Sequence, residues 1–154
     1  MRVSVSADER VGIADAVVEE LRKRGHEPIP HGALNDSERD DWAWASESAA
    51  RDVAEGRAEQ GIVCCWTGTG ASIAANKVAG IRAALCVDAQ TAEGARRWND
   101  ANVLALSLRA TLRGGTRGDP RRVVFCRAKR RPGRPLERRA PRRAGRLDSA
   151  RCAA

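Results

Sequence analysis

Apolar and polar positions in the first hundred residues alternate between short extended runs and helical stripes. Residues 2–6 alternate polar with small or apolar side chains, which predicts a strand. Apolar residues between 11 and 21 then recur on one helical stripe, and this helix is expected to end at Gly25, after three cationic residues. Residues 27–31 predict a second strand, whose two prolines restrict it to a sheet edge or a strand end.

The continuous apolar run at residues 61–65 predicts a strand buried at the centre of a parallel sheet. Further helices and strands are predicted at about 42–56, 71–80, 82–87, 91–97 and 102–106. Because parallel neighbours need crossover connections, this order predicts a three-layer α/β/α, Rossmann-like fold with a doubly wound five-stranded parallel sheet. Ligands bind such sheets at the carboxyl ends of strands, which here are the loops beginning at Ala7, Trp66 and Asp88.

The charge of the chain changes sign after Thr111. Residues 1–111 carry 13 Lys+Arg and 17 Asp+Glu, a net charge of −4, whereas residues 112–154 carry 15 and 3, a net charge of +12. We interpret residues 1–111 as one domain and residues 112–154 as a basic, Arg- and Pro-rich tail that is disordered, since it lacks apolar surface to bury. The tail would attract nucleic acid electrostatically, but without interleaved aromatic residues we do not expect a nucleic-acid partner.

The five cysteines form no CxxC pair, and the two histidines, His26 and His31, lie far from them in sequence. This pattern disfavours a zinc site, and the odd count disfavours a secreted disulfide framework. We expect Cys64 and Cys86 to pack in the core and both histidines to face solvent. The chain shows neither a signal peptide nor an apolar run of about 20 residues, so we expect a cytoplasmic protein without membrane contact.

The segment from Cys65 to Gly70 carries the clearest chemical signal. A strand ends there at a cysteine, two glycines allow close backbone approach, and a helix follows, whose first N–H groups can bind an anion. The spacing fits neither a P-loop nor a GxGxxG fingerprint. A thiol beside a helix N-terminus is a usable base or nucleophile, so the segment predicts a reactive thiol next to an anion-binding turn.

Residues 61–77, with the runs 80–86 and 99–106 and the first strand ending at Asp8, resemble the family of type B ribose-5-phosphate isomerases and galactose-6-phosphate isomerase subunits. The resemblance extends over about residues 1–110. It implies a sugar-phosphate aldose–ketose isomerase of the pentose phosphate type that works through a cis-enediolate. It also implies that no metal or other cofactor is needed, and that the site is built between two subunits of a homodimer or larger homo-oligomer.

The resemblance also implies roles for individual residues. Cys65 corresponds to the base that removes a proton from the carbon next to the carbonyl, and Thr67 to a residue that assists ring opening or binds a hydroxyl. Backbone N–H groups of the turn would stabilise the enediolate oxygen. The substrate-binding positions are Asp8, Glu9, Trp66, Thr67, Gly68, Thr69, Gly70, Trp98, Asn99 and Arg109.

The sequence departs from the family pattern at several of these positions. Glu9 and Trp98 replace histidines, Trp66 replaces a glycine, and the arginines after Arg109 cannot be matched to the family's phosphate-binding arginines. An acidic Asp8–Glu9 pair would repel a phosphate dianion and would instead bind hydroxyls. Two alternatives therefore stay open: an isomerase for another or a non-phosphorylated sugar, and a catalytically silent sugar-binding domain.

Overall fold

The computed structural model describes residues 1–111, so the predicted disorder of the tail and the states of Cys126 and Cys152 lie outside the described residues. The strands are β1 (Arg2–Ala7), β2 (Glu27–Gly32), β3 (Gln60–Cys65), β4 (Ala83–Leu85) and β5 (Val103–Ser107). The helices are α1 (Ile13–Lys23), α2 (Trp42–Ala54), α3 (Thr69–Asn76), α4 (Ala89–Asn99) and α5 (Leu108–Thr111). The predicted elements are all present.

The strands form one parallel sheet with the order β2-β1-β3-β5-β4, which confirms the doubly wound prediction. The proline-containing strand β2 lies at one edge, as its sequence required. The chain winds outward from β1 to β2 and then returns to β3, so the order switches between β1 and β3. The carboxyl ends of these two strands, at Ala7 and Cys65, therefore form the crevice where ligands bind in this fold.

Each face of the sheet is covered by its own helices. The first face packs against α1, α4 and α5 through an apolar cluster that includes Val3, Val5, Val17, Leu21, Ile62, Cys64, Cys86, Leu106 and Leu108. The second face packs against α2 and α3 through Ala49, Ala50, Val63, Cys65, Ala71, Ala75, Ile81, Val103 and Ala105. The fold is thus the predicted three-layer α/β/α arrangement, and neighbouring residues Cys64 and Cys65 belong to opposite faces.

Side-chain caps fix where two of the helices start at the carboxyl edge. The Asp41 side chain accepts a hydrogen bond from the Trp44 N–H at 2.9 Å and begins α2. Asp88 accepts from the Thr91 N–H at 2.7 Å and begins α4, and this bond lowers the pKa of the Asp88 carboxyl. Because Asp88 caps this helix, the fourth strand ends earlier than predicted, at Leu85.

Over residues 1–111, no helix is both long enough and apolar enough to cross a membrane. The same residues contain no group of three His, Cys, Asp or Glu side chains arranged to hold a metal ion.

Candidate active site

The turn between β3 and α3 is closed by its own backbone. The Gly68 N–H donates to the Cys65 carbonyl at 3.1 Å, and the Gly68 carbonyl accepts from the Ser72 N–H at 3.0 Å. Gly68 has φ +75°, and a Cβ there would lie 2.6 Å from Leu85 Cδ1 and 2.8 Å from the carbonyl carbon of Leu106. Only glycine fits this position, because both the dihedral and the space exclude a side chain.

The end of β5 braces the same turn. The Trp66 carbonyl accepts hydrogen bonds from the Ser107 hydroxyl at 2.9 Å and from the Arg109 N–H at 3.1 Å. The backbone of Arg109, a predicted substrate-binding residue, therefore lies beside the turn, and the residue is exposed. Ser107 was missed by the sequence analysis. Its signal is its register opposite Cys65, which becomes visible only when β5 is known to pair with β3.

The Cys65 sulfur lies at the first turn of α3. Its Sγ accepts a hydrogen bond from the Ala71 N–H at 3.4 Å, and the residue is only 5% exposed beneath the small side chains of the second face. The Ala71 N–H belongs to the first turn of α3, where backbone donors have no partner inside the helix. The arrangement therefore places the sulfur at the end of a central strand, in contact with a backbone donor.

Cys64 has the opposite environment on the first face. It is 1% exposed, and burial raises the pKa of its thiol to about 12, with the negative charges of Cys65 and Asp8 acting in the same direction. Its thiol thus stays protonated and packs as a small apolar group, as predicted. Cys86, also predicted to be in the core, is 2% exposed.

Only part of the predicted row of backbone donors is open. The Gly68 N–H is used inside the turn, and the Thr69 N–H points to the Thr67 hydroxyl oxygen at 3.4 Å. Among residues 1–111 the N–H groups of Thr67 and Gly70 form no hydrogen bond. These two donors remain available for an anionic oxygen, whereas the sequence analysis counted every N–H from Trp66 to Gly70.

Asp8 follows β1 and lies beside this turn. Burial raises the pKa of its carboxyl and the charge of Glu9 adds to the effect, while the N–H groups of Asp8, Trp66 and Glu9 act against it. Its Oδ1 is buried without a hydrogen-bond partner among the described residues. The neighbouring Glu9 is exposed. The structure thus brings Asp8 together with the turn that holds Cys65.

Two half-exposed indole rings flank the turn. Trp66 is 47% exposed, and Trp42, at the start of α2, is 46% exposed. The Trp42 ring packs on Gly70, where an added Cβ would come within 3.0 Å of the ring. Sequence reasoning placed Trp42 among helix-packing or interface residues, because its position on an amphipathic helix gave no sign of contact with the turn.

Trp98 and Asn99 do not join this group within one chain. They lie at the end of α4, and the Asn99 carbonyl accepts a hydrogen bond from the Arg82 side chain, just before β4. Since β4 is parallel to β3, this is the amino-terminal edge of the sheet, opposite the Cys65 turn. Trp98 is 74% exposed, with its ring over Gly94 and 5.9 Å from the Arg97 guanidinium.

A cavity of about 50 Å³ is found at that same amino-terminal edge, on the first face. Its lining includes Val3, Leu21, Ala92 and Asn102. None of the predicted site residues lines it, so this cavity is distinct from the candidate site at the carboxyl edge.

The expectation that His31 faces solvent is wrong. Its side chain is 13% exposed and contacts the carboxylates of Glu38 and Asp52. These partners are 7 and 21 residues away in sequence, so no local sequence pattern indicates the contacts.

A protein-family model described as Ribose/Galactose Isomerase matches residues 3–117. The chain is 45% identical to ribose-5-phosphate isomerase B of Escherichia coli (strain K12) over 60% of its own length and 62% of that protein. It is 40% identical to galactose-6-phosphate isomerase subunit LacB of Clostridium acetobutylicum over 72% and 64%. The structure of Trypanosoma brucei type B ribose 5-phosphate isomerase aligns with a TM-score of 0.67 and 41% identity, covering 80% of this chain and 81% of that one.

The matches to these curated relatives span somewhat less than two thirds of the relatives' own lengths. The chain belongs to the ribose/galactose isomerase family.

Proposed function

We propose that the chain is an aldose–ketose isomerase acting on a sugar phosphate of the ribose 5-phosphate type, with Cys65 as its base. One observation carries the proposal: the Cys65 sulfur ends a central strand and receives the Ala71 N–H, next to the open donors of Thr67 and Gly70. Membership of a family whose relatives are named as sugar-phosphate isomerases supports the same reaction class.

The proposed reaction moves one proton between adjacent carbons of the open-chain sugar. The Cys65 thiolate removes the proton from the carbon next to the carbonyl, and the C–H electron pair forms the enediolate while the carbonyl oxygen becomes anionic. The N–H groups of Thr67 and Gly70 stabilise that oxygen. The Cys65 thiol then returns the proton to the former carbonyl carbon. In the same step the hydroxyl proton on the other enediolate oxygen passes to the anionic oxygen, so that the carbonyl forms on the adjacent carbon. The Thr67 hydroxyl assists ring opening or binds a sugar hydroxyl, and every step uses groups of the chain itself.

A second copy of the chain completes the proposed site. Trp98 and Asn99 lie at the edge opposite Cys65, so they can contact the same substrate only if another subunit brings its α4 end to this turn. Mixing a Cys65→Ala variant with an Asn99→Ala variant tests this directly. Restored activity in the mixture supports a shared site, whereas two variants that stay inactive together contradict it.

A different sugar is a second candidate substrate, favoured by the acidic pair at the end of β1. Asp8 and the exposed Glu9 both carry carboxyls beside the turn, and two negative charges oppose the binding of a phosphate dianion. The exposed ring of Trp66 offers a flat apolar surface where the family has a glycine. On this hypothesis the reaction is unchanged but the preferred sugar lacks a phosphate.

Both candidates are tested by measuring isomerisation of a panel of phosphorylated and free aldoses. Cys65→Ala should lower kcat by roughly 10²- to 10⁴-fold, the usual contribution of a positioned acid–base group. Cys64→Ala is the matched control, because it removes the adjacent thiol from the other face. Unchanged activity in Cys65→Ala contradicts the mechanism. A wild-type protein that binds sugars but isomerises none is instead a silent sugar-binding domain.

A further inference from the structure

A cluster of charged side chains is buried on the second face, outside the residues assigned to the reaction. His31 Nε2 lies 2.7 Å from Asp52 Oδ2, and His31 Nδ1 lies 3.0 Å from Glu38 Oε2. Asp52 also accepts hydrogen bonds from the Ser4 hydroxyl at 2.8 Å and from Arg57 Nε at 2.7 Å. The cluster therefore links β1, β2, α2 and the loop between β2 and α2.

His31 is the residue that joins the two carboxylates. Its side chain is 13% exposed, that of Asp52 is 6% exposed and that of Glu38 is 22% exposed. Its two ring nitrogens face the two carboxylates from opposite sides of one ring. Burial alone would raise the pKa of Asp52, but hydrogen bonds from His31, Arg57 and Ser4 outweigh it and hold that pKa below its ordinary value.

The cluster reaches Asp8 through the backbone at the end of β2. Glu38 Oε2 accepts a second hydrogen bond, from the Gly32 N–H at 3.2 Å, and Gly32 pairs with Ala7, the residue before Asp8. A Cβ on Gly32 would lie 2.4 Å from the Ala7 carbonyl oxygen, so the two backbones are in direct contact. The Ala7 carbonyl also accepts from the Ala33 N–H at 2.9 Å.

We propose that His31 is a positioning residue that sets the place of Asp8 at the carboxyl edge. Buried polar clusters contribute little net stability compared with apolar packing, so a cluster this well connected is better explained by the geometry it enforces. By contacting both Glu38, which binds Gly32, and Asp52, which binds Ser4 of β1, His31 fixes the strand that precedes Asp8. This inference rests on the proposed function, together with the substrate-binding role that the family resemblance implies for Asp8.

The test compares the wild-type protein with His31→Gln, whose two N–H donors lie on one nitrogen and not on opposite sides of a ring. If His31 positions Asp8, kcat/KM on the best sugar of the panel should fall on the order of 10- to 100-fold, the loss typical of a small misplacement of a reacting group. NMR titration of the Asp8 side-chain carboxyl gives a second readout, independent of turnover. Its raised pKa should move back toward the ordinary value, because a loosened strand end buries Asp8 less.

Two further variants separate positioning from general loss of stability. Glu38→Ala removes the acceptor shared by His31 and Gly32 from a partly exposed site, and it should reproduce both effects even if His31→Gln folds poorly. Arg57→Gln is the control, since it removes a bond to Asp52 but none to β2, and it should stay within about twofold of wild-type activity.

The outcomes are distinguishable from those of the proposed function. Unchanged kcat/KM and an unchanged Asp8 titration in His31→Gln and Glu38→Ala overturn the positioning role, as does equal damage by Arg57→Gln. A wild-type protein that is inactive on every sugar overturns the proposed function instead, and the Asp8 titration then decides the role of His31 alone.

Discussion

Cys64 and Cys65 are neighbours in sequence, yet the sheet puts them in different chemical environments. Cys64 enters an apolar cluster on the first face, where burial raises the pKa of its thiol to about 12. Cys65 enters the second face, where its sulfur receives the Ala71 N–H at the start of α3. The difference follows from the two-residue period of a strand, which directs successive side chains to opposite faces.

The same contrast runs along β1. Val3 and Val5 pack on the first face, while Ser4 bonds to Asp52 of α2 on the second. The Ser6 hydroxyl is also fully buried, and among the described residues it has no hydrogen-bond partner. One face thus supplies apolar burial, and the other combines small residues with buried polar groups. The inert cysteine and the proposed reactive one are thus divided between the two faces of one sheet.

The largest expected effect concerns the polar face. Asp52→Ala should lower the free energy of unfolding by about 2 to 4 kcal/mol at pH 7, because it removes the buried carboxylate that Ser4, His31 and Arg57 share. Denaturant unfolding measures this value. Since hydrogen bonds hold the folded pKa of Asp52 below 3.8, its contribution is present above that pH and is lost as the pH falls through the folded pKa.

Arg57→Ala is the matched control for that loss. Arg57 bonds to the same carboxylate, but its side chain is 52% exposed, so its removal should cost at most about 1 kcal/mol. If Arg57→Ala lowers the unfolding free energy as much as Asp52→Ala does, then the exposed Arg57 stabilises the fold as strongly as the buried Asp52, and solvent screening does not weaken its contact.

Serine substitution at the two cysteines should separate stability from activity. Cys64→Ser places a hydroxyl in the apolar cluster of the first face and should cost about 1 to 3 kcal/mol of unfolding free energy. Cys65→Ser keeps the Ala71 N–H as a donor to the new oxygen, so its cost should stay below about 1 kcal/mol. The proposed base is lost only in Cys65→Ser. This variant should therefore lose more activity than Cys64→Ser, although it loses less stability.

Thermal unfolding and initial rates on the same two preparations decide the comparison. If Cys64→Ser loses the greater share of activity, or if Cys65→Ser is the less stable of the two, then the division of roles between the faces is wrong.

Most of the fold was readable from the chain because local signals agreed with the global arrangement. The apolar run at 61–65 predicted the central strand, and the prolines of residues 27–31 predicted the sheet edge where β2 lies. Gly68 was placed correctly in a tight turn because a glycine between a strand and a helix signals close backbone approach, which the contact with Leu106 confirms.

The remaining features depend on contacts between distant residues. Ser107 braces the Trp66 carbonyl across 41 positions, and His31 meets Asp52 across 21. Neither contact leaves a periodic trace in the sequence, since each depends on how separate elements pack. Asn99 lies at the opposite edge of the sheet from Cys65 within one chain, so whether the two share a site depends on contacts between subunits, which no pattern along one chain specifies.

The smallest expected effect concerns Asp8, where the needs of the proposed site oppose stability. Burial raises the folded pKa of Asp8 above 3.8. The protonated carboxyl therefore stabilises the fold fully below pH 3.8, and this contribution is lost as the pH rises through the folded pKa. Asp8→Asn should therefore increase the unfolding free energy at pH 7, by less than about 1 kcal/mol given solvent screening, and the gain should vanish in acid. Activity should fall, since an amide cannot replace both carboxylate oxygens.

Glu9→Gln, on the exposed neighbour, should change stability by no more than about 0.5 kcal/mol. If Asp8→Asn instead has a lower unfolding free energy than the wild type at pH 7, then the Asp8 carboxylate stabilises the fold as well as serving the proposed site.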